Sequence, residues 1–303
     1  MLVAPCHFNA FAKPLRFLRL LFLSAFVSVH ASPQDQPSNS ARSIEELKIR
    51  AESGDADAQH HLSDFLSQRD SRTPDYDTAV NWLRQHAGRN QPDALCLLGV
   101  LYEHGQGLPR DYAKAAENYG AAALLGNDCA QNNLASLYQH GQGVPKDLKK
   151  AMELYLASAR QGNPIAQCNL ASLYFTGSGV PRDLSEAARW FRSAAERRYP
   201  AAQHNLAVLY FQGLGVPVDY VEALAWERSA ADQGYSEAEA GLAYLYETGK
   251  AVPLDYVAAF AWYSRASSHG ERAASERRKS LSHRMTHNQL EEASALFFQP
   301  PQK

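Results

Sequence analysis

Gly141-Gln142-Gly143-Val144-Pro145-Lys146-Asp147 is one copy of a phrase that returns along the chain in step. The others read Gly105-Gln106-Gly107-Leu108-Pro109-Arg110-Asp111, Gly177-Ser178-Gly179-Val180-Pro181-Arg182-Asp183 and Gly213-Leu214-Gly215-Val216-Pro217-Val218-Asp219. A worn copy keeps Gly249, Val252, Pro253 and Asp255. Each copy begins 36 residues after the last. A fixed period of this length marks a stack of like units, and it decides the fold before any local reading does.

Upstream of the phrase, Ala130, Leu134, Leu137 and Tyr138 fall at offsets 0, 4, 7 and 8, the stripe of an amphipathic helix, helix A. The same offsets carry Ala94, Leu98, Leu101 and Tyr102, and recur around Ala166, Ala202 and Ala238. Offset 5 holds only Gly99, Ala135, Ala171, Ala207 and Ala243, which implies close approach of another helix. Within the phrase, the first glycine suits a left-handed helix end. The proline stops the helix and extends the chain. The aspartate suits the N-cap of a second helix, B. Asp183 with Glu186 and Asp219 with Glu222 have the spacing of a capping box. Helix B carries Ala115, Ala151, Ala187, Ala223 and Ala259, followed by aromatics such as Tyr119, Tyr155, Trp190-Phe191, Trp226 and Trp262-Tyr263. These Tyr and Trp positions are expected in the core. Gly126, Gly162, Gly234 and Gly270 close the units, with Arg198 in that place once.

The phase continues in worn form at both ends. Ala58, Leu62, Asp75, Tyr76 and Ala79 precede the clean copies, and Ala274, Leu281, Met285 and Phe298 follow them. Terminal units have one neighbour and must face water on the other side, so they drift. The expected organisation is a signal peptide at 1–31, a disordered linker at 32–43, a degenerate repeat at 44–88, five repeats over 89–270 and a degenerate capping segment at 271–303.

The pattern Ala-x-x-x-Leu-Gly/Ala-x-Leu-Tyr-x-x-Gly-x-Gly-Val-Pro-x-Asp-x-x-x-Ala, ending in Ala-Ala-x-x-Gly, closely resembles Sel1-like repeats, relatives of tetratricopeptide repeats. The resemblance implies an all-α, right-handed α-solenoid of about seven antiparallel helix pairs. It also implies an adaptor or scaffold that holds proteins or peptides. Some exported bacterial members of that family carry a disulfide within each repeat. This chain lacks that cysteine pairing, so the cysteine-rich branch and its β-lactam association match poorly.

The first 31 residues stand outside the array. Lys13, Arg16 and Arg19 precede the apolar run Leu20–Val29, and Val29-His30-Ala31 offers small residues before a cut. This reads as a secretory signal cleaved after Ala31. The run is shorter than the roughly 20 residues that span a bilayer, so stable membrane insertion is not expected once the signal is cleaved. The expected location is exported, periplasmic or secreted. Ser32 to Ser43 is polar and rich in Pro and Ser, as a disordered leader would be. Of the 303 residues 45% are apolar, and the formal net charge is −2, with no basic run in the repeats, so a nucleic-acid groove is not indicated. After cleavage Cys96, Cys129 and Cys168 remain. Cys96 and Cys168 lie two periods apart, too far along a solenoid for a bridge. Cys96 with Cys129 joins neighbouring repeats, and either a bridge or free thiols used as small hydrophobes fits.

Candidate chemistry is sparse. The Gly-x-Gly loops follow a helix and contain Pro, whereas a phosphate cradle follows a strand and opens a helix. His104 and His140 share a repeat position, but Thr176 and Gln212 end the column, so polar helix ends are expected rather than a metal site. No motif of a hydrolase or metalloprotease occurs, and no cofactor is implied. Two polar columns remain: Asn133, Asn169 and Asn205 at offset 3, and Gln131, Gln167 and Gln203 at offset 1 of helix A. An Asn ladder at the edge of the apolar stripe can face the concave groove and bond an extended partner peptide. The same amides can instead satisfy groups within the stack. The function read from these observations is a non-enzymatic interaction scaffold with a protein or peptide partner. The alternatives are an envelope enzyme or enzyme accessory acting on cell-wall material or β-lactams, and a structural spacer.

Overall fold

The structure is a computed structural model that describes residues 80, 81, 83–85 and 91–297. The expected signal, linker and nearly all of the worn N-terminal repeat lie outside the described residues, as does Phe298. From residue 91 on, the described chain is all-α and contains no strand. The helices are α1 (Pro92–His104), α2 (Tyr112–Leu124), α3 (Asp128–His140), α4 (Leu148–Arg160), α5 (Pro164–Thr176) and α6 (Leu184–Glu196). They continue as α7 (Pro200–Gln212), α8 (Tyr220–Ala231), α9 (Ser236–Thr248), α10 (Tyr256–Ser268), α11 (Arg272–Ser282) and α12 (His287–Phe297). Odd-numbered helices up to α9 are A helices and even-numbered ones up to α10 are B helices. The architecture is of the α-solenoid class.

Two compact units meet in sequence between Asp147 and Leu148. In the first, α1, α2 and α3 pack on one another. In the second, each helix from α4 to α10 packs on the next, and α12 returns to α10. The core follows the stripe read from sequence. Ala130, Leu134, Ala135 and Leu137 are buried in α3, and Ala166, Leu170, Ala171 and Leu173 in α5. Tyr119, Tyr155, Phe191 and Tyr263 supply the largest fully buried B-helix side chains, one per repeat at the same position. Each fully buried side chain of this size contributes on the order of 1.5–3 kcal/mol of transfer free energy. Trp190, Trp226 and Trp262 depart from the expected core placement and are only partly buried. They stand one residue before the core column, about 100° around the helix.

The recurring phrase is a joint between helices. Gly105, Gly141, Gly177, Gly213 and Gly249 end the A helices in the left-handed region, φ 68 to 73°. Asp111, Asp183, Asp219 and Asp255 cap the B helices, each side chain accepting from backbone N–H groups of the first turn. The capping boxes do not form. The Asp183 backbone N–H already donates to Tyr174 O, and that of Asp219 to Tyr210 O, both at 3.0 Å. Glu186 instead holds Arg189, and Glu222 accepts from Trp226 Nε1 at 3.0 Å.

The second glycine has a different duty. A Cβ at Gly215 would lie 2.1 Å from Leu184 O, and one at Gly143 2.2 Å from the carbonyl carbon of Tyr112. The loops at Gly143, Gly179 and Gly215 therefore rest directly on the residues that start the B helix of the preceding repeat, leaving no room for a Cβ, while the worn copy carries Ala251 at this place.

Candidate partner-binding surface

The six amides singled out in the sequence divide into two groups. Gln131, Gln167 and Gln203 are buried. Their Nε2 groups donate to the carbonyls of Ala123, Ala159 and Ala195 at 3.4, 3.1 and 3.1 Å. Those carbonyls lie at the ends of the preceding B helices, where each also accepts a backbone N–H from the following turn, of Gly126, Gly162 and Arg198. The glutamine column thus ties each A helix to the end of the B helix before it, and it is consumed by the stack rather than presented to a groove. Glu239 continues the column, but a carboxylate cannot donate. It accepts from His269 Nδ1 at 2.8 Å, where one repeat earlier Gln203 Oε1 accepts from Gln233 Nε2 at 2.8 Å.

Of the asparagines, Asn169 and Asn205 are buried, at 5% and 0% exposure, in the second unit. Asn133, in the first unit, is partly exposed. Its Oδ1 accepts from Asn132 Nδ2 at 3.0 Å, and its own Nδ2 lies 3.7 Å from Cys129 Sγ. It is the one member of the six whose amide stands at the surface.

A second set of columns was not singled out in the sequence. Tyr119 Oη donates to Glu103 at 2.6 Å, and Tyr263 Oη donates to Glu247 at 2.8 Å. Glu103 and Glu247 occupy one repeat position, offset 9 of helix A. In the repeat where Phe175 stands there, the core aromatic is Phe191, which needs no acceptor. Glu227 breaks the column. It is a carboxylate at 1% exposure where the other repeats hold Tyr, Phe or, at Leu83, leucine, and Phe211 stands in its offset-9 position. Its Oε2 accepts from His204 Nδ1 at 2.9 Å, while Oε1 has no hydrogen-bond partner. Burial pushes the Glu227 carboxyl up, against the pull of His204 beside it. The carboxylate lies so close to Gly241 that a Cβ there would meet Oε1 at 2.2 Å. Gly241 replaces the asparagine of the offset-3 column, so the breach in one column is accommodated by a breach in the other. The sequence signal was available: one acidic residue in an otherwise apolar or aromatic register.

The ends of the A helices in the second unit carry partly exposed aromatics against cations. Lys250 Nζ sits 4.6 Å from the Phe211 ring centroid and 4.5 Å from that of Tyr220. Phe211 packs edge-on against Tyr244 at 5.6 Å, and the Arg277 guanidinium lies 5.0 Å over Tyr244. Arg192 bonds the Tyr210 hydroxyl, and Arg228 that of Tyr246 at 2.8 Å, one repeat apart. Tyr, Trp, Phe and Arg are the side chains enriched at protein interfaces. His140 closes its helix through Nδ1 to Ser136 O at 2.8 Å. Among the described residues no group of three or more His, Cys, Asp or Glu is placed to hold a metal, and no helix is long and apolar enough to cross a membrane.

Tandem helix pairs joined by identical capped loops define a helical repeat protein. The Sel1 repeat family model matches at residues 56–87, 92–127, 130–163, 164–199, 200–235 and 236–271, and the chain belongs to the Sel1 repeat family. Among solved structures it is similar to a Sel1 repeat protein from Oxalobacter formigenes, at 25% identity and TM-score 0.62, covering 86% of this chain and 98% of that one. It is also similar to c5321, a protective antigen of uropathogenic Escherichia coli displaying an SLR fold, at 28% identity and TM-score 0.37, covering 86% and 71%. The immunity protein Pa5087 from Pseudomonas aeruginosa matches at 24% identity and TM-score 0.43, covering 65% and 80%. No curated protein matches the chain.

Proposed function

We propose that this chain is an exported, non-enzymatic scaffold that holds a protein or peptide partner through the faces of its A helices. The observation that carries the reading is the array itself, six Sel1 repeats over residues 56–271. Sel1 repeats generally mediate protein–protein interaction, and a stack of like helix pairs offers an extended, regular surface suited to it. Export is supported by the order of charges, apolar run and small residues that ends at Ala31. In the first unit the contact is assigned to the neighbourhood of Asn133. In the second it is assigned to the aromatic and cationic ends of α7 and α9, since Asn169 on α5 and Asn205 on α7 are buried.

The test is site-specific photocrosslinking in the compartment where the protein resides. A photoreactive side chain is placed at Asn133 or Tyr244 on the A helices, and at exposed Ala225 on B helix α8 as control. The reading expects one discrete cross-linked partner from the A-helix positions and none from Ala225. Equal labelling from all three, or none from any, overturns it.

A further inference from the structure

Cys96 and Cys129 are free thiols, 33 residues apart and carried by the two A helices of the first unit. Cys96 is buried at 5% exposure and Cys129 is exposed. The two side chains are hydrogen-bonded to each other. The helix starts that hold them are fixed together, because Asn127 Nδ2 donates to Asp93 Oδ1 at 2.8 Å while Asn127 Oδ1 caps α3. The contact is thus built into the first unit.

From this pairing we propose that Cys96 and Cys129 form a reversible disulfide between neighbouring repeats, closed by exchange with a disulfide-bearing oxidant. The two thiols have distinct parts to play. Cys129 is accessible, and its sulfur accepts from the Cys96 thiol and from Asn133 Nδ2, so its thiolate is favoured and it attacks first. Cys96 is buried, and hydrogen bonding to Cys129 together with burial holds its proton on, which suits the resolving position.

In the first step the Cys129 thiolate attacks one sulfur of the oxidant. The oxidant's S–S bond breaks, a mixed disulfide forms on Cys129, and one thiolate leaves. In the second step Cys96 sulfur attacks the Cys129 sulfur of that mixed disulfide. The second oxidant thiolate leaves and takes the Cys96 proton, and the first takes the proton that Cys129 gave up to solvent. Two cysteine thiols are oxidised to one disulfide, and one oxidant disulfide is reduced to two thiols.

The test uses the purified full chain, reduced and then exposed to oxidised glutathione, with alkylation of remaining thiols and peptide mass mapping. The expected product is a cross-linked peptide pair containing Cys96 and Cys129, reopened by dithiothreitol. Cys96→Ser is expected to stop at the glutathione mixed disulfide on Cys129, and Cys129→Ser to leave Cys96 unmodified. The proposal is overturned if wild type stops at the mixed disulfide, if both thiols stay alkylatable under oxidation, or if either residue pairs with a different cysteine. Mapping the wild-type protein decides the matter even if a serine variant fails to fold.

Discussion

His204 Nδ1 donates to Glu227 Oε2 at 2.9 Å in the one repeat where an acid replaces the core aromatic of helix B. The neighbouring repeats state the rule that this pair breaks: a tyrosine where offset 9 supplies an acceptor, a phenylalanine where it does not. Phe211 occupies offset 9 beside Glu227. Glu227→Phe is therefore expected to be more stable than Glu227→Tyr by about 1–2 kcal/mol, because the tyrosine hydroxyl would be buried without an acceptor. Urea unfolding of the two variants measures this. Equal stability would refute the pairing rule.

The same carboxyl makes a pH prediction. Burial raises its folded-state pKa above the unfolded value, with His204 opposing the shift. The folded chain then binds more protons than the unfolded chain between the two values. The stabilising contribution is complete below the unfolded carboxylate pKa and is lost as pH rises through the folded one. In wild type, the urea midpoint should carry a falling component as pH climbs out of the ordinary carboxylate range. Glu227→Gln should lack that component. A wild-type profile parallel to that of Glu227→Gln would contradict the assignment.

Gly99→Ala should destabilise the protein although the four repeats that follow have alanine in that column. A Cβ there would lie 2.6 Å from Tyr119 Cδ1 and Cε1, and Tyr119 is fully buried and tied to Glu103. The expected cost of overpacking, about 1–3 kcal/mol, outweighs the roughly 1 kcal/mol that alanine contributes to helix propensity. Thermal unfolding would show a lower Tm, and an unchanged or higher Tm would mean that Tyr119 moves freely.

Two non-glycine residues sit at positive φ where other repeats use glycine, Arg198 at 62° and Ala251 at 64°. Arg198→Gly and Ala251→Gly should each stabilise by about 1 kcal/mol through relief of left-handed strain. The mirror experiment, Gly215→Ala, should cost about 2 kcal/mol or more, since its Cβ would strike the Leu184 carbonyl. Chemical denaturation of the three variants checks both signs, and a gain from Gly215→Ala would mean that the loop does not rest on that backbone.

Features set by a helix's own periodicity were legible in the chain. The Leu and Tyr stripes of the A helices, the capping Asp residues and the left-handed glycines follow from local chemistry and are found where the spacing puts them. What escaped reading depends on a partner in the neighbouring helix or repeat. Gln131, Gln167 and Gln203 look like surface residues until the carbonyl ends of the preceding B helices are brought to them. Gly143, Gly179 and Gly215 look like turn residues until the preceding repeat is seen beneath them. The capping boxes failed because the tyrosine carbonyls had already taken the aspartate N–H groups. Glu227 and the contact between Cys96 and Cys129 were in principle readable, the first as a breach of a column. The second was open as one of two thiol readings.

The proposed partner meets the A-helix faces and not the B-helix surface. Photocrosslinking from Asn133 and Tyr244, compared with Ala225, tests it most directly. One partner is expected to be cross-linked from both A-helix positions and to be absent from the B-helix control. Indiscriminate labelling from all three positions, or no labelling from any, would contradict it.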